Sequence, residues 1–497
     1  MNMIIESLIR HSIETPNKIA FIGGNEEISY QNLLIRVRGL AEYLVEHSPK
    51  CIALRAENSL DWVIADLAAL YADIPNVPVP LFFTPEQVEH IVTESGADLL
   101  LGNWDAWIQN TSADVNSLDA KMVGEAENLS VWKRIVESEK PLLPHTGKIT
   151  FTSGSTGHPK GVCLSQNQLS KVSRSLADTI ATEAKCEKHL VLLPLSTLLE
   201  NITGIYVPII LGATSVVLNG AEVGLNGSSN FDPSQFALAL AKYLPNSLVL
   251  TPALLMALIE VVKAMPILAR NLEFVAVGGA RVSPQLLEMA HSLGIPAFEG
   301  YGLSENASVV SLNTPSAYKA GTSGKPLPHI DVKVSNDGEI YVSGCVALGY
   351  IDQPFEQGWY ATGDLGHLDE DGFLVINGRK KNQIITAFGR NISPEWVESE
   401  AQAFRALHGM VLVGDGEKSL SAITANSNVE EVTAALKQLN QRLPDYARIR
   451  TLITAQGLSS LAGFYTSNGR PIRSKFEQWM LSKTEQNDGR IITPINE

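Results

Sequence analysis

Cysteine is scarce in this sequence: Cys51, Cys163, Cys186 and Cys345 are the only four among 497 residues. No two form a CxxC pair, and the density is far too low for a disulfide framework. Four reduced, mostly buried thiols are expected. Charge is sparse as well. Only 18% of residues are charged, and the basic ones are in deficit, 38 Lys and Arg against 53 Asp and Glu, for a net charge of −15. A general nucleic-acid binder needs a basic face to neutralise phosphates, so that class is excluded. Long apolar runs are missing. The most apolar stretch, 248–267, is broken by Pro252, Glu260, Lys263 and Pro266, so no transmembrane span is expected. The first residues, MNMIIESLIRHSIETPNK, carry Glu6, Arg10 and Glu14 and lack the unbroken apolar core of a secretion signal. A cytoplasmic protein is expected, with loose contact at a membrane surface left open. No internal repeat stands out. A hydrophobic fraction of 45% is too high for a disordered chain.

What is present is alternation. Residues 246–250 (NSLVL) read as a strand, 253–264 as a helix, and 272–277 (LEFVAV) as a strand ending at Gly278-Gly279. A helix over 283–293 follows, with Pro284 in its first turn, and then a strand over 295–298. Strand, helix, strand at this spacing predicts βαβ units and a parallel sheet. Ligands of such sheets sit beyond the carboxyl ends of strands, so the loops after Val277 and Phe298 are candidate site loops. After about residue 320 the pattern changes to short alternating strands at 332–334, 339–342 and 373–376. Turn signals separate them at 336–338 (NDG) and 369–372. A small antiparallel sheet or β-barrel is expected there. The basic cluster Arg379-Lys380-Lys381 follows. The remaining residues, with helices near 394–406 and 429–441, suffice for a second, smaller α+β domain.

The strongest chemical signal is residues 150–161, TFTSGSTGHPKG. Thr152, Ser153, Ser155 and Thr156 alternate with Gly154 and Gly157, and Lys160 follows. Glycines free the backbone to curl while hydroxyls and amides donate to anionic oxygens. A lysine adds a mobile point charge for phosphate. The spacing is not that of a Walker A loop, so an ordinary P-loop NTPase is disfavoured.

This loop resembles the phosphate-binding signature of the ANL adenylate-forming superfamily. Four further segments resemble that superfamily in the same order: 301–305 (YGLSE), 359–365 (WYATGDL), 378–381 (GRKK) and 468–473 (NGRPIR). The resemblance runs from about residue 5 to 480. It implies an α/β fold: a large N-terminal domain of stacked α/β subdomains with the small barrel, at 1–378. A hinge at 379–381 centred on Lys381 and a mobile lid domain at 382–497 would complete it. It also implies an enzyme that uses ATP, Mg²⁺ and CoA or phosphopantetheine on a small carboxylic acid. The 152–157 loop and Lys160 would hold phosphates. Gly279, Ala280, Glu299, Gly300, Tyr301, Gly302 and Ser304 would frame the adenine, with the Tyr301 ring covering the base. Glu305 would hold the metal as a hard oxygen ligand. Asp364, in a turn, would accept from the ribose hydroxyls, and Arg379 would reach ribose or phosphate. Glu200 would lie beside the acyl pocket.

Within the superfamily, Lys381 at the pivot and 391–395 (NISPE) are most similar to fatty acyl-CoA synthetases. The substrate region shows no Asp of the kind amino-acid activators use for an ammonium group. The segment 305–324 is compact, which favours the CoA-type layout. One departure matters. The superfamily's C-terminal catalytic lysine is replaced by Arg470, which keeps the charge in a planar, bulkier form. Arg470 substitutes for it, or Lys475 reaches in instead, or the protein adenylates poorly and is a non-catalytic adenylate-binding or regulatory protein. The expected activity is ATP-dependent activation of a fatty or other apolar acid to acyl-AMP, then transfer to a pantetheine thiol. The alternative thiol is that of an acyl carrier protein.

The charge is unevenly spread. From Asn382 onward there are 12 basic and 12 acidic residues, so the whole excess of −15 lies before it. Between Glu431 and Glu477 stand seven basic residues and one acid, Asp445. Positive charge for a phosphate-rich ligand must therefore be local: Lys160, Arg379 and this cluster.

Overall fold

The computed structural model describes residues 2–105, 118, 120–136, 141–152, 159–227, 230–387, 390–455, 462–466, 470–481 and 490–495. Two nine-stranded sheets dominate it. The first runs Lys325–Pro326, Ser311–Leu312, Ala297–Tyr301, Phe274–Val277, Ser247–Leu250, Lys188–Val191, Thr214–Val217, Ile19–Ile22 and Glu27–Ser29. Its centre is parallel. Strands such as Ser247–Leu250 are buried along their whole length and apolar after their first residue, as expected when helices cover both faces. The intervening helices start where their caps dictate: Thr251 accepts from the Leu254 amide, and Pro252 opens the helix Pro252–Ala264.

The second sheet runs Gln353–Pro354, Gly349–Tyr350, Lys160–Ser165, Thr146–Thr152, Asn76–Pro78, Ile52–Arg55, Leu99–Gly102, Leu129–Arg134 and Ala120–Ala126. Strands Thr146–Thr152 and Lys160–Ser165 form an antiparallel pair whose last register is Thr152 opposite Lys160. The signature segment thus spans the ends of two paired strands and their connection, with Thr152 and Lys160 as the last pair.

After residue 320 the chain forms a four-stranded antiparallel sheet: Asp331–Val334, Glu339–Ser343, Tyr360–Leu368 and Leu374–Arg379. Its two tight turns carry Gly338 at φ +83° and Gly372 at φ +80°, left-handed positions that suit glycine. Beyond residue 383 the apolar core, built around Leu412, Val432, Leu436 and Leu452, is separate from the cores of the earlier residues. It packs helices Pro394–Ala401 and Val429–Asn440 on a four-stranded mixed sheet. All four cysteines are free, and three are buried. Among the described residues, no helix is long and apolar enough to cross a membrane.

Three boundaries differ from the sequence reading. The strand expected at 295–298 runs Ala297–Tyr301, because Gly300 and Tyr301 pair antiparallel with Leu312 and Ser311. Glu299, Gly300 and Tyr301 are therefore sheet residues and not loop residues. Asp364 lies inside the strand Tyr360–Leu368, directly opposite Arg379, and not in a turn. The helix expected to reach residue 406 stops at Ala401, and a separate 3-10 turn, Arg405–Leu407, follows the extended Phe404.

Candidate active site

The carboxyl end of the first sheet builds one wall. Gly302 follows Tyr301, and a side chain on it would fall 1.6 Å from the Ser308 carbonyl oxygen, so the chain can fold back here only through glycine. That fold-back carries Ser304 and Glu305 in a short 3-10 turn, Ser304–Asn306. The Tyr301 hydroxyl donates to Asp364 Oδ2 at 2.5 Å. Asp364 Oδ1 meets Arg379 Nε at 2.7 Å. Arg379 also donates to the Thr362 carbonyl. Burial pushes the Asp364 carboxyl up, while Arg379 and the tyrosine hydroxyl pull it back. Burial works against the Arg379 charge, yet Asp364, Tyr301, Glu305 and Glu395 together outweigh it and raise that pKa. Arg379 uses Nε on Asp364 and Nη1 on the Thr362 carbonyl, and its side chain is 37% exposed.

The second sheet supplies the opposite wall. Lys160 Nζ stands 4.8 Å from the centre of the Tyr350 ring, and the Tyr350 hydroxyl donates to Glu305 Oε1 at 3.1 Å. Tyr350 therefore links the phosphate-loop lysine to the candidate metal carboxylate. Among the described residues, no group of three or more His, Cys, Asp or Glu could cage a metal. A single half-exposed carboxylate suits Mg²⁺ that is held mainly by substrate phosphates and water, so Glu305 fits that ion.

The C-terminal residues close the cleft. Arg470 Nη2 donates to the Gly279 carbonyl at 2.8 Å, across 191 residues of sequence. Gly279 takes φ +81°, a left-handed position that suits glycine. Lys475 Nζ is instead bound to the Gly463 carbonyl of its own domain. The exposed Lys381 lies within electrostatic reach of Arg379, Lys160 and Glu305.

The structure thus brings together Gly279, Tyr301, Asp364, Arg379 and Arg470 as one group, and Lys160, Glu305 and Tyr350 as another. Thr152 ends its strand opposite Lys160. Ser153, Gly154, Ser155, Thr156 and Gly157 lie outside the described residues. Ala280 is exposed beside Gly279. The Glu299 side chain turns inward: it is buried, it accepts from the Val282 amide at 3.4 Å, and burial pushes it up to about 8. Its backbone is held in the sheet, with the carbonyl accepting from Asn313 N at 2.9 Å and Nδ2 at 3.3 Å. Glu200 lies in the core. It is fully buried, accepts from the Leu192 amide at 3.2 Å, and lies 3.5 Å from His189.

A family model described as AMP-binding enzyme matches residues 9–351. The chain belongs to the AMP-binding enzyme family. As an AMP-binding enzyme it is 28% identical over 427 residues to a long-chain-fatty-acid–CoA ligase of Mycobacterium bovis, covering 73% of this chain and 70% of that one. It is 24% identical over 500 residues to a 2-succinylbenzoate–CoA ligase of Staphylococcus epidermidis, covering 95% and 97%. Its fold matches the o-succinylbenzoate CoA synthetase of Bacillus subtilis in complex with its acyl-adenylate intermediate. That match has a TM-score of 0.76 at 23% identity, over 98% of this chain and 99% of that one. The same Bacillus protein has been solved with ATP and magnesium ion.

Sequence reasoning missed Tyr350. It sits in ALGYIDQP, which carries no motif, and only the strand pairing of Tyr350 with Val162 brings it beside Lys160. It also missed Lys148 and Asp66. A lysine within the strand TGKITFT was the available signal, because that strand is otherwise built to be buried.

Proposed function

We propose that this AMP-binding enzyme is an ATP-dependent acid–thiol ligase. In the first step an oxygen of the acid's carboxylate attacks the α-phosphorus of ATP. The bond to the bridging oxygen of the β-phosphate breaks, and acyl-AMP and pyrophosphate form. In the second step a pantetheine sulfur attacks the acyl carbon, AMP leaves, and a thioester remains. CoA is the proposed thiol and a fatty or other apolar acid the proposed substrate; the ligase names of both relatives support the former, and the long-chain ligase of M. bovis supports the latter.

The protein's part is positioning and charge stabilisation. Asp364 accepts from the ribose hydroxyls. Arg379 uses its free nitrogens on ribose or phosphate. Lys160 and the 152–157 loop hold the β and γ phosphates, and Glu305 binds Mg²⁺, which when present neutralises phosphate charge. Residues 1–378 and 382–497 act as two domains that rotate about Lys381, because one cleft serves two steps with different partners.

The observation that carries this reading is the Arg470 contact. The arginine that stands in place of the superfamily's lysine leaves its own domain and hydrogen-bonds the backbone that frames the nucleotide, whereas Lys475 stays on its own domain. This favours Arg470 as the adenylation residue over Lys475 and over a purely binding protein. The test is trapping of acyl-AMP with hydroxylamine, with ATP and Mg²⁺, across a panel of acids. Hydroxamate from apolar acids is expected. No hydroxamate with any acid sinks the proposal.

A further inference from the structure

The strand that runs into the phosphate loop carries a buried lysine four residues before Thr152. Lys148 Nζ meets Asp66 Oδ1 at 2.5 Å, and the two side chains are 3% and 0% exposed. Asp66 is saturated. Its Oδ1 also accepts from Asn76 Nδ2 at 2.8 Å, and its Oδ2 accepts from Asn201 Nδ2 at 3.0 Å and the Tyr206 hydroxyl at 2.7 Å. Lys148 makes a second bond, to Asn201 Oδ1 at 2.6 Å. Its ammonium lies 5.3 Å from the centre of the Tyr206 ring.

The cluster therefore joins parts of both halves of the large domain. Lys148 and Asn76 belong to the second sheet, and Asp66 to the helix Leu60–Tyr71 that packs on it. Asn201 and Tyr206 come from the short helix Leu198–Asn201 and the π-turn Ile202–Tyr206, which follow the first-sheet strand Lys188–Val191. The same helix holds the segment before it. Glu200 accepts from Leu192, and the Asn58 side chain donates to the Leu193 carbonyl at 2.9 Å and accepts from the Leu195 amide at 2.8 Å. π-turns are rare and concentrate where local geometry is used.

A buried ion pair is a poor way to gain stability, since apolar residues of similar volume do as well or better. What it supplies is a fixed geometry with few alternatives. We propose that Lys148 and Asn201 are positioning residues, which lock the strand entering the phosphate loop against the helix following residues 192–197. ATP and the acid are then presented to each other in one register. The inference rests on the ligase reading above. Misplacement of reacting groups by about 1 Å costs on the order of 10²-fold, so the register is worth fixing.

Two variants test it. Lys148→Met with Asp66→Asn removes both charges and leaves no unpaired ion. Asn201→Ala leaves the ion pair and the Tyr206 bond to Asp66, and removes the Asn201 bonds to Lys148 and Asp66. Three quantities are measured on the full chain: thermal stability, ATP affinity by calorimetry without acid, and single-turnover hydroxamate formation. The expected result for both variants is ATP affinity within about threefold of wild type and adenylate formation slowed by about 10- to 100-fold. Rates within threefold of wild type in a folded Asn201→Ala protein overturn the inference. So does a loss of ATP affinity by the same factor as the rate, which would mean a damaged nucleotide site and no register effect. A wild-type protein that yields no hydroxamate overturns the ligase reading and this inference with it. A working wild type with wild-type-like variants overturns the inference alone.

Discussion

Two aspartate ion pairs divide this enzyme's chemistry between them. Asp66–Lys148 is sealed, with its partners 0% and 3% exposed, whereas Asp364–Arg379 is open on one side, at 4% and 37%. Both aspartates are out of water and both meet a cation at hydrogen-bond distance. In the sealed pair every oxygen and the ammonium are already engaged by neighbours, so no third party can join. In the open pair the cation side chain is more than a third exposed. The exposure of the cation, and not the burial of the acid, separates a structural clamp from a candidate ligand site.

The comparison breaks most visibly at Asp364. Asp364→Asn keeps the shape and removes the charge that faces Arg379. Adenylate formation is expected to fall by about 10²- to 10³-fold, the range for loss of a group that positions or stabilises the reacting charge. Hydroxamate trapping reads this directly, and a rate within threefold of wild type counts against the assignment. Next in size is a contrast of stability. Lys148→Met alone orphans Asp66 and is expected to cost about 3–5 kcal/mol in urea unfolding. Arg379→Gln also strips a cation from a buried carboxylate, but the glutamine amide can still donate to Asp364 and the cation side is partly exposed, so a smaller loss of about 1–3 kcal/mol is expected. Equal losses from the two would erase the distinction between sealed and open.

A third buried acid sharpens the comparison by having no ion pair at all. Glu299 accepts from one amide and is pushed up to about 8 by burial, which Arg281 only partly offsets. Its folded-state pKa is raised, so the folded protein holds a proton that the unfolded chain loses near 4.5. Stability from this group therefore declines as pH rises from about 4.5 to about 8 and levels off above. Glu299→Gln is expected to flatten that decline in a melting-temperature series. An unchanged slope would show that Glu299 does not titrate as described.

The sequence made the open pair legible and hid the sealed one. Asp364 and Arg379 each sit in a recognisable segment, so their roles could be expected before their contact was seen. Their meeting depends on antiparallel register, which no motif encodes. Asp66 and Lys148 lie 82 residues apart in segments without any motif, and only the packing of helix on sheet joins them. The βαβ order and the turn glycines followed from local rules. The extension of the strand through Tyr301 did not, because it depends on pairing with Ser311 and Leu312.

The central claim is that Arg470 crosses to the nucleotide frame and carries out the task of the superfamily's lysine. Hydroxamate formation by Arg470→Ala, beside Lys475→Ala and wild type at saturating ATP, tests it most directly. The account predicts a fall of about 10²-fold or more for Arg470→Ala, the range seen when a charge-stabilising donor is removed, and a change below about threefold for Lys475→Ala. Full activity in Arg470→Ala, or a loss confined to Lys475→Ala, would contradict it.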